Sequence, residues 1–512
     1  MTATWITIGI YVAGLVTIGV VTGRSSKSVA DITVGGRRMG AWLSALSYGT
    51  AYFSAVMFVG YAGSTGYGFG LWGILVGLGN AAFGAMLAWL FLAKRTREIS
   101  ARLGLHTMPE LFEKFYGSKA MKLFSCVVIF IFLIPYSASV YMGLGNIAEV
   151  LLGIPPTVFM VLIAALAGFL LFFGGYLVQA RADFVQGLIL MVGMALLIGY
   201  VVFAKNVGGF SGIADYAKLH KQLGLTPRNS TGWWALISLI FMTSFGTWGL
   251  PHMVQKYFGI KDNDQARRGV WISTIFCTLI AGGGYFIGSL CHKFFTSAEF
   301  AALQADKGAT FKDYIVPMML EKAEIPSVLL GVVFVLLMGA SVTTLSAIIL
   351  TACSTLVKDF IGTLKPGIPD KRISLGIKLL CLAFAAMSFF VARAKGSPIL
   401  DMMGYSWGAI SGSFMAPYVF SLYYKKANKY GAWAGILSGF AVALIPATCK
   451  VISWFYADPA LVPATAAKLM GQSPQFMVIA TCCSMAMCFL VNVITRNKAK
   501  PVEAPAAAPA RA

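Results

Sequence analysis

LSYGTAYFSAVMFVGYAGSTGYG, residues Leu46 to Gly68, is apolar enough to cross a bilayer, yet it carries Gly49, Gly60, Gly63 and Gly66 among serines, threonines and tyrosines. Such a composition predicts a membrane helix that can break. A second stretch behaves alike. In FMTSFGTWGLPHMVQKYF, Phe241 to Phe258, an apolar run is interrupted by Gly246, Gly249 and Pro251. Pro251 lacks an amide donor and crowds the carbonyl four residues earlier, that of Thr247, so the helix is expected to kink or open there.

Around these two stretches the chain is greasy throughout. Of its 512 residues 58% are hydrophobic and only 12% charged, with a mean hydropathy of +0.77. These values lie far from those of a soluble multidomain protein and define an all-α, polytopic membrane protein. Apolar runs of about 20 residues, enough to cross a hydrocarbon core of about 30 Å, recur thirteen times: 4–22, 41–66, 70–93, 121–150, 156–178, 182–204, 233–257, 267–292, 326–357, 374–392, 398–424, 431–452 and 474–495. The first has no basic leader before it and reads as a mature helix rather than a signal peptide.

Basic residues orient the bundle. With the N-terminus outside, the inner segments hold 28 of the 40 Lys and Arg, so the positive-inside rule favours N-out and C-in. The net charge of +21 is spread over short loops rather than along one polar face, which fits anionic lipid and topology and not nucleic acid. The cysteines lie almost all in apolar spans without CxxC pairs, and His106, His220, His252 and His292 form no metal motif. Gly68-Phe-Gly-Leu-Trp-Gly73 matches GxGxxG but joins two membrane spans with no βαβ pattern, so it is no dinucleotide site. The tail from Pro501 is Pro/Ala-rich and is expected to be disordered.

The ninth span is unusual for its hydroxyls. In GASVTTLSAIILTACST, Gly339 to Thr355, the residues Ala340, Thr343, Thr344 and Ala347 follow helical spacing along one small, oxygen-lined face. Two readings compete. Serines and threonines can return their hydroxyls to the i−4 carbonyl and let helices approach. A hard cation, which prefers neutral or anionic oxygens, is the other. One helix alone is short of ligands, and the carbonyls of a broken helix would supply the rest. The two breakable spans lie five apart, which suggests inverted five-helix repeats, spans 2–6 and 7–11, with solute and ion near the bilayer midplane. The expected organisation is a first helix and inner loop (1–40), a first repeat (41–204), a second repeat with outer loops (205–424), two accessory helices (425–495) and a cytoplasmic tail (496–512).

Taken with their order and spacing, DITVGGRRMGAWLSALSYGTAYFSA (Asp31–Ala55), LHTMPELFEKFYGS (Leu105–Ser118), ARADFVQ (Ala180–Gln186), GLPH (Gly249–His252) and GASVTTLSA (Gly339–Ala347) resemble the sodium:solute symporters, a family with the LeuT-like fold, over roughly residues 5–450. The resemblance implies sodium as coupling ion, held by the carbonyls of Thr50, Phe53 and Ala340 and the hydroxyls of Thr343 and Thr344. Some members hold a second sodium on an acid and nearby serines. Asp183 matches the acid and Ser346 one serine, but the next place is Ala347. Asp183 could equally be a cytoplasmic-end carboxylate paired with Arg181 or solvent. Ser54 resembles a substrate-facing serine, and Tyr52 and Met57 flank it as further solute contacts. On the seventh span Thr243, Thr247 and Pro251 share a face with Trp248 adjacent. Arg37 resembles an inner-loop arginine near the cytoplasmic release path, or is an ordinary topology charge.

The family's proline carriers have aromatics where this chain has Thr243 and Thr247, and FGTWGLPH is most similar to the acetate and pantothenate branches. The implied function is sodium-coupled symport of a small organic solute, a monocarboxylate or pantothenate-like compound, by alternating access in the cell membrane. A proline-like amino-acid symporter and a proton-coupled symporter using Asp183 are the alternatives. The paired breaks and the lack of a filter-like repeat argue against an ion channel, and no convergent acid, base or metal set supports an enzyme. The implied partners are the solute, sodium and the bilayer; nothing in the sequence specifies an oligomeric state.

Overall fold

The computed structural model describes residues 2–23, 37–220, 222–227, 230–394, 396–456 and 461–496. Among these the chain is helical, and the one β-type contact is an isolated bridge between Met39 and Ile260. Eight helices are long and apolar enough to cross a membrane, or nine when the bent pair Gly232–Gly249 and Pro251–Phe258 is taken as one span. The expected tail lies, except for Arg496, outside the described residues, as do Asp31 and most of the loop after the first helix.

Helix α1 is Thr2–Gly23 and α2 is Ala41–Tyr52. A wide helical turn, Val56–Tyr61, then leads into α3, Ala62–Phe69. Gly70, at φ +50°, turns the chain, and His220 Nε2 accepts the Leu71 amide there at 2.7 Å. A side chain at Gly70 would strike that imidazole. The helical path then continues to α4, Lys94–Leu103, so Val56–Leu103 forms one 48-residue stretch across the expected junction of spans 2 and 3. Helix α5, Met108–Tyr116, starts on a Thr107 cap with proline in its first turn and stops at left-handed Gly117, the punctuation that ends short helices. Helices α6, Lys119–Leu152, and α7, Pro156–Phe203, follow. The sequence places a loop around Arg181 between spans 5 and 6, but α7 runs through it. Gln179–Asp183 contains neither proline nor glycine to stop the hydrogen-bond ladder.

The second half mirrors the first in having a break. Helix α8, Ser230–Gly249, ends at extended Leu250 (φ −81°, ψ 122°), and α9, Pro251–Phe258, resumes at an angle of 49°. The break therefore falls three residues after the expected position at Thr247. Pro251 occupies the first turn of the new helix, where its missing N–H costs nothing, instead of kinking a continuous one. Next come α10 (Asn263–Cys277), α11 (Gly283–Ser289), α12 (Ser327–Ser354), α13 (Asp370–Arg393), α14 (Ile399–Tyr423), α15 (Lys429–Ser453) and α16 (Ser473–Ile494). Helix α12 is the most enclosed: every residue from Val333 to Ser354 is buried. By contrast α13 and α16 expose Leu379, Phe390, Phe489 and Leu490, as a helix facing lipid does.

Glycines bring α3 and α11 into backbone contact. A Cβ on Gly66 would lie 1.9 Å from the Gly288 carbonyl oxygen, and one on Gly288 would lie 2.3 Å from that of Ala62. Overpacking such a seam costs about 1–3 kcal/mol. Gly66→Ala and Gly288→Ala should each lower the thermal midpoint and the monodisperse fraction on size exclusion. Gly68→Ala, where nothing lies within 4 Å, should change neither.

Candidate functional site

The first break decides which atoms meet at the centre. Helix α2 stops at Tyr52, Phe53 is extended (φ −110°, ψ 125°), and the Thr50 carbonyl points across to α12. It lies 3.0 Å from Thr344 Oγ1 and 3.3 Å from Thr343 Oγ1. The same hydroxyls reach the Ala340 carbonyl at 2.8 and 3.0 Å. Four oxygens thus converge in a fully buried place. Each threonine can donate to its own helix and turn lone pairs toward the Thr50 carbonyl, and a hard cation between them would convert that repulsion into coordination. Of the five expected ligands, Thr50, Ala340, Thr343 and Thr344 come together. Phe53 sits at the break with its ring stacked on Tyr52 at 4.2 Å. Helix α12 also serves the restart of the broken helix, because Ser341 Oγ accepts the Ala55 amide at 3.0 Å.

The remaining hydroxyls of α12 divide between the two readings. Thr355 bonds back to the Thr351 carbonyl at 2.9 Å, whereas Thr351 Oγ1 reaches Gln255 Oε1 on α9 at 2.8 Å. Ser346 Oγ is buried without a hydrogen-bond partner. Asp183 is buried inside the bundle and does not lie at a solvated cytoplasmic end. Its carboxylate accepts from the Ser47 hydroxyl and pairs with Lys256 at 3.2 Å. Lys256 lies within the bundle, 1% exposed. The sequence signal for it was an ionisable residue inside an apolar run, five positions beyond Pro251.

The expected solute residues are only partly gathered. Tyr52 spans the gap between the broken helices, its hydroxyl donating to the Thr243 carbonyl at 2.5 Å. Ser54 Oγ accepts the Val56 amide at 3.3 Å and caps the restarted helix. Met57 packs on Gly284, where a Cβ would lie 2.9 Å from its sulfur. Thr243 Oγ1 is turned back to Leu239 O at 2.8 Å, and Thr247 Oγ1 to Ser244 O at 2.9 Å and toward Tyr48 at 3.4 Å. Trp248 is not central: it is half-buried at the rim, donates to Phe83 O at 2.9 Å and packs on Phe245. Its position, one residue from Thr247 on the helical wheel, turns it outward.

On the other side of the second break lies a group that helical spacing did not reveal. A Cβ on Gly246 would meet the Trp407 ring, and one on Gly249 would meet Ser411. His252, in the first turn of α9 beside Pro251, lies 5.7 Å from the Tyr136 ring, which lies 5.7 Å from Trp407. Both His252 nitrogens, Tyr136 OH, Trp407 Nε1 and Ser411 Oγ are buried without hydrogen-bond partners. Such groups are costly to leave unsatisfied, and here they converge from α6, α9 and α14. Only His252 stood out in the sequence, as one of four scattered histidines.

Arg37 is structural as well as basic. It adopts φ +57°, which strains a non-glycine residue. Its guanidinium closes α4 through Ser100 O (2.8 Å), Ser100 Oγ (3.0 Å) and Leu105 O (2.6 Å), and reaches Phe258 O at the end of α9 at 3.5 Å.

A family model, "Sodium:solute symporter family", matches residues 33–439, and the chain belongs to that family. Its sequence is 27% identical over 462 residues to the high-affinity proline transporter PutP of Bacillus subtilis, covering 89% of this chain and 93% of that protein. It is 28% identical over 448 residues to a sodium/proline symporter of Haemophilus influenzae, covering 85% and 86%. In fold it is similar to a Na+-coupled sialic acid symporter in a substrate-bound outward-open state, with a TM-score of 0.74 at 19% identity over 98% of both chains. It is also similar to Mhp1, a nucleobase-cation-symport-1 family transporter, with a TM-score of 0.55 at 12% identity over 94% and 97%. The architecture is LeuT-like. The protein is a multi-pass transporter of the cell membrane that couples solute movement to sodium, and it is not an enzyme.

If the oxygen cluster holds sodium, removing one of its hydroxyls should weaken sodium selectively. A hydrogen bond or ligand contact to a charged group contributes about 1.5–3 kcal/mol. In Thr344→Ala the sodium concentration for half-maximal uptake should therefore rise roughly tenfold or more while surface expression holds. Unchanged sodium dependence would sink the assignment.

Proposed function

We propose that the protein carries a small carboxylate-bearing solute inward with sodium bound at Thr50, Phe53, Ala340, Thr343 and Thr344. The observation that carries this reading is the convergence of the Thr50 carbonyl and the two threonine hydroxyls across the break in α2. Sodium there would join the broken helix to α12, favour the arrangement open to the outside and prepare the solute site. Its departure inside would let the bundle rock back. The electrical part of the driving force is about 2.3 kcal/mol per charge per 100 mV.

In this reading the solute binds between the two breaks. Ser54, Tyr52 and Met57 line one side, with Thr243, Thr247 and Pro251 on the other, and Tyr136, His252, Trp407 and Ser411 supply donors that still lack partners. Trp248, at the rim, shapes the site from behind. Two solute readings have separate support. The similarity to named proline carriers favours proline, a zwitterion with a carboxylate; the threonines at 243 and 247, where the family's proline carriers place aromatics, favour a monocarboxylate or pantothenate-like anion.

In this reading the bundle has thirteen spans with the N-terminus outside and the C-terminus inside. The second part of span 2 and span 3 share the stretch Val56–Leu103, spans 5 and 6 share α7, and helices 2–6 and 7–11 form inverted repeats with boundaries at 41–204 and 205–424. Residues 1–40 bring the first helix and Arg37 to the inner face, 425–495 supply two accessory helices, and 496–512 form the tail. The exposed apolar flanks face the bilayer. Arg37, tying α4 to the end of α9, steadies the inner gate.

Uptake into proteoliposomes of acetate, propionate, pyruvate, pantothenate and proline, under a sodium gradient or an equal proton gradient, tests this reading. Sodium-driven, saturable uptake of one of them is expected, with Tyr136→Phe raising its KM roughly tenfold if the hydroxyl meets the carboxylate. Proton-driven uptake, current without solute, or no uptake across the panel would overturn it.

A further inference from the structure

Two opposite charges are sealed inside this bundle, and neither is a sodium ligand of the cluster described above. Asp183 on α7 and Lys256 on α9 have side-chain exposures of 0% and 1%. Lys256 Nζ donates to Ser47 Oγ at 2.7 Å and to Asp183 Oδ2 at 3.2 Å, and it stands 5.1 Å from the Tyr176 ring centroid. The Ser47 hydroxyl in turn donates to Asp183 Oδ2. These are the contacts of an ammonium held by an anion, a hydroxyl and an aromatic face.

The pair is wired to the sodium oxygens. Ser47 lies just before Thr50 on α2, and its carbonyl accepts from Thr50 Oγ1 at 3.4 Å. Gln179, one turn before Asp183, donates to the Thr343 carbonyl at 3.3 Å. A small cavity between α7 and α12 is lined by Gln179, Ala182, Thr343 and Ser346, among others. Of the residues that line it, Gln179 Oε1 and Ser346 Oγ are buried without hydrogen-bond partners, and so is Oδ1 of Asp183, the residue after Ala182. A carboxylate, an amide oxygen and a hydroxyl make a hard-cation set. The carboxylate charge, however, is already matched by Lys256.

We infer that the Lys256 ammonium is a built-in cation that takes up the Asp183 charge and excludes a second sodium, so that one mobile sodium moves per solute. This rests on the sodium reading of Thr343 and Thr344. Placing sodium beside a paired Asp183 would leave an extra positive charge in a low-dielectric interior, and a buried charge without compensation is strongly disfavoured. With the ammonium removed, Asp183 would be the uncompensated charge, and an incoming cation would restore neutrality. A fixed ammonium cannot leave, so it neutralises the site without adding to the driving force.

The test is 22Na+ binding to the purified full-length protein in nanodiscs, read with the Hill coefficient of sodium-activated uptake. One bound sodium and a coefficient near 1 are expected for the wild type and for Lys256→Arg. Lys256→Met should bind two and raise the coefficient toward 2, and Lys256→Met with Asp183→Asn should return to one. A folded Lys256→Met that still binds one sodium overturns the inference. So does a wild type that binds two, a result independent of how the variants fold and one that leaves sodium symport intact. A wild type that binds none removes the sodium reading together with it.

Discussion

A carbonyl released from its helix inside an apolar bundle must find another partner, because no water is at hand to take the place of the lost amide. The Thr50 carbonyl is in that position once α2 stops at Tyr52. Two adjacent threonines on α12 meet it, and Ser341, two residues before the first of them, receives the Ala55 amide where the helix restarts. One helix therefore answers both sides of one break. This obligation fits the burial of α12 along its whole central length. In the proposed reading, coupling by a cation would use the same geometry, since an ion that completes the oxygen cluster would also complete the contact between the two helices.

The second break is solved differently. Proline begins α9, so no donor is lost there, and Leu250 O accepts from the Met253 and Val254 amides at 3.0 Å. The backbone is provided for while the neighbouring side chains are not. His252, Tyr136, Trp407 and Ser411 remain buried without partners, whereas the threonines of the first break are already bonded within the protein. A site whose polar groups wait for a partner suits a varied organic molecule with several acceptors. A site whose oxygens already lie about 3 Å apart suits a single small ion.

Charge in this protein follows burial more than position in the chain. Arg37 lies in a basic inner loop and Lys256 near the end of an apolar run, yet both join pieces of the bundle. Arg37 accepts a left-handed backbone to close α4 and reach α9. Lys256 ties α9 to α2 and α7 through Ser47 and Asp183. Both act on the ends of broken helices, where motion between the two access states would concentrate.

Membrane class, the two breakable helices and the oxygen-rich face of α12 were legible in the sequence, because each is a local property: hydropathy over about 20 residues, glycine and proline within an apolar run, and hydroxyls at helical spacing. The positions of the loops were less legible. Spans 5 and 6 run as a single helix because nothing in Gln179–Asp183 stops it, and the break near Pro251 falls at Leu250 because proline is better tolerated at the start of a helix than inside one. The Asp183–Lys256 pair, the rim position of Trp248 and the gathering of Tyr136, His252, Trp407 and Ser411 were decided only by the tertiary structure. Those residues are far apart in the chain, and which of them meet depends on which faces α6, α7, α9 and α14 turn toward one another.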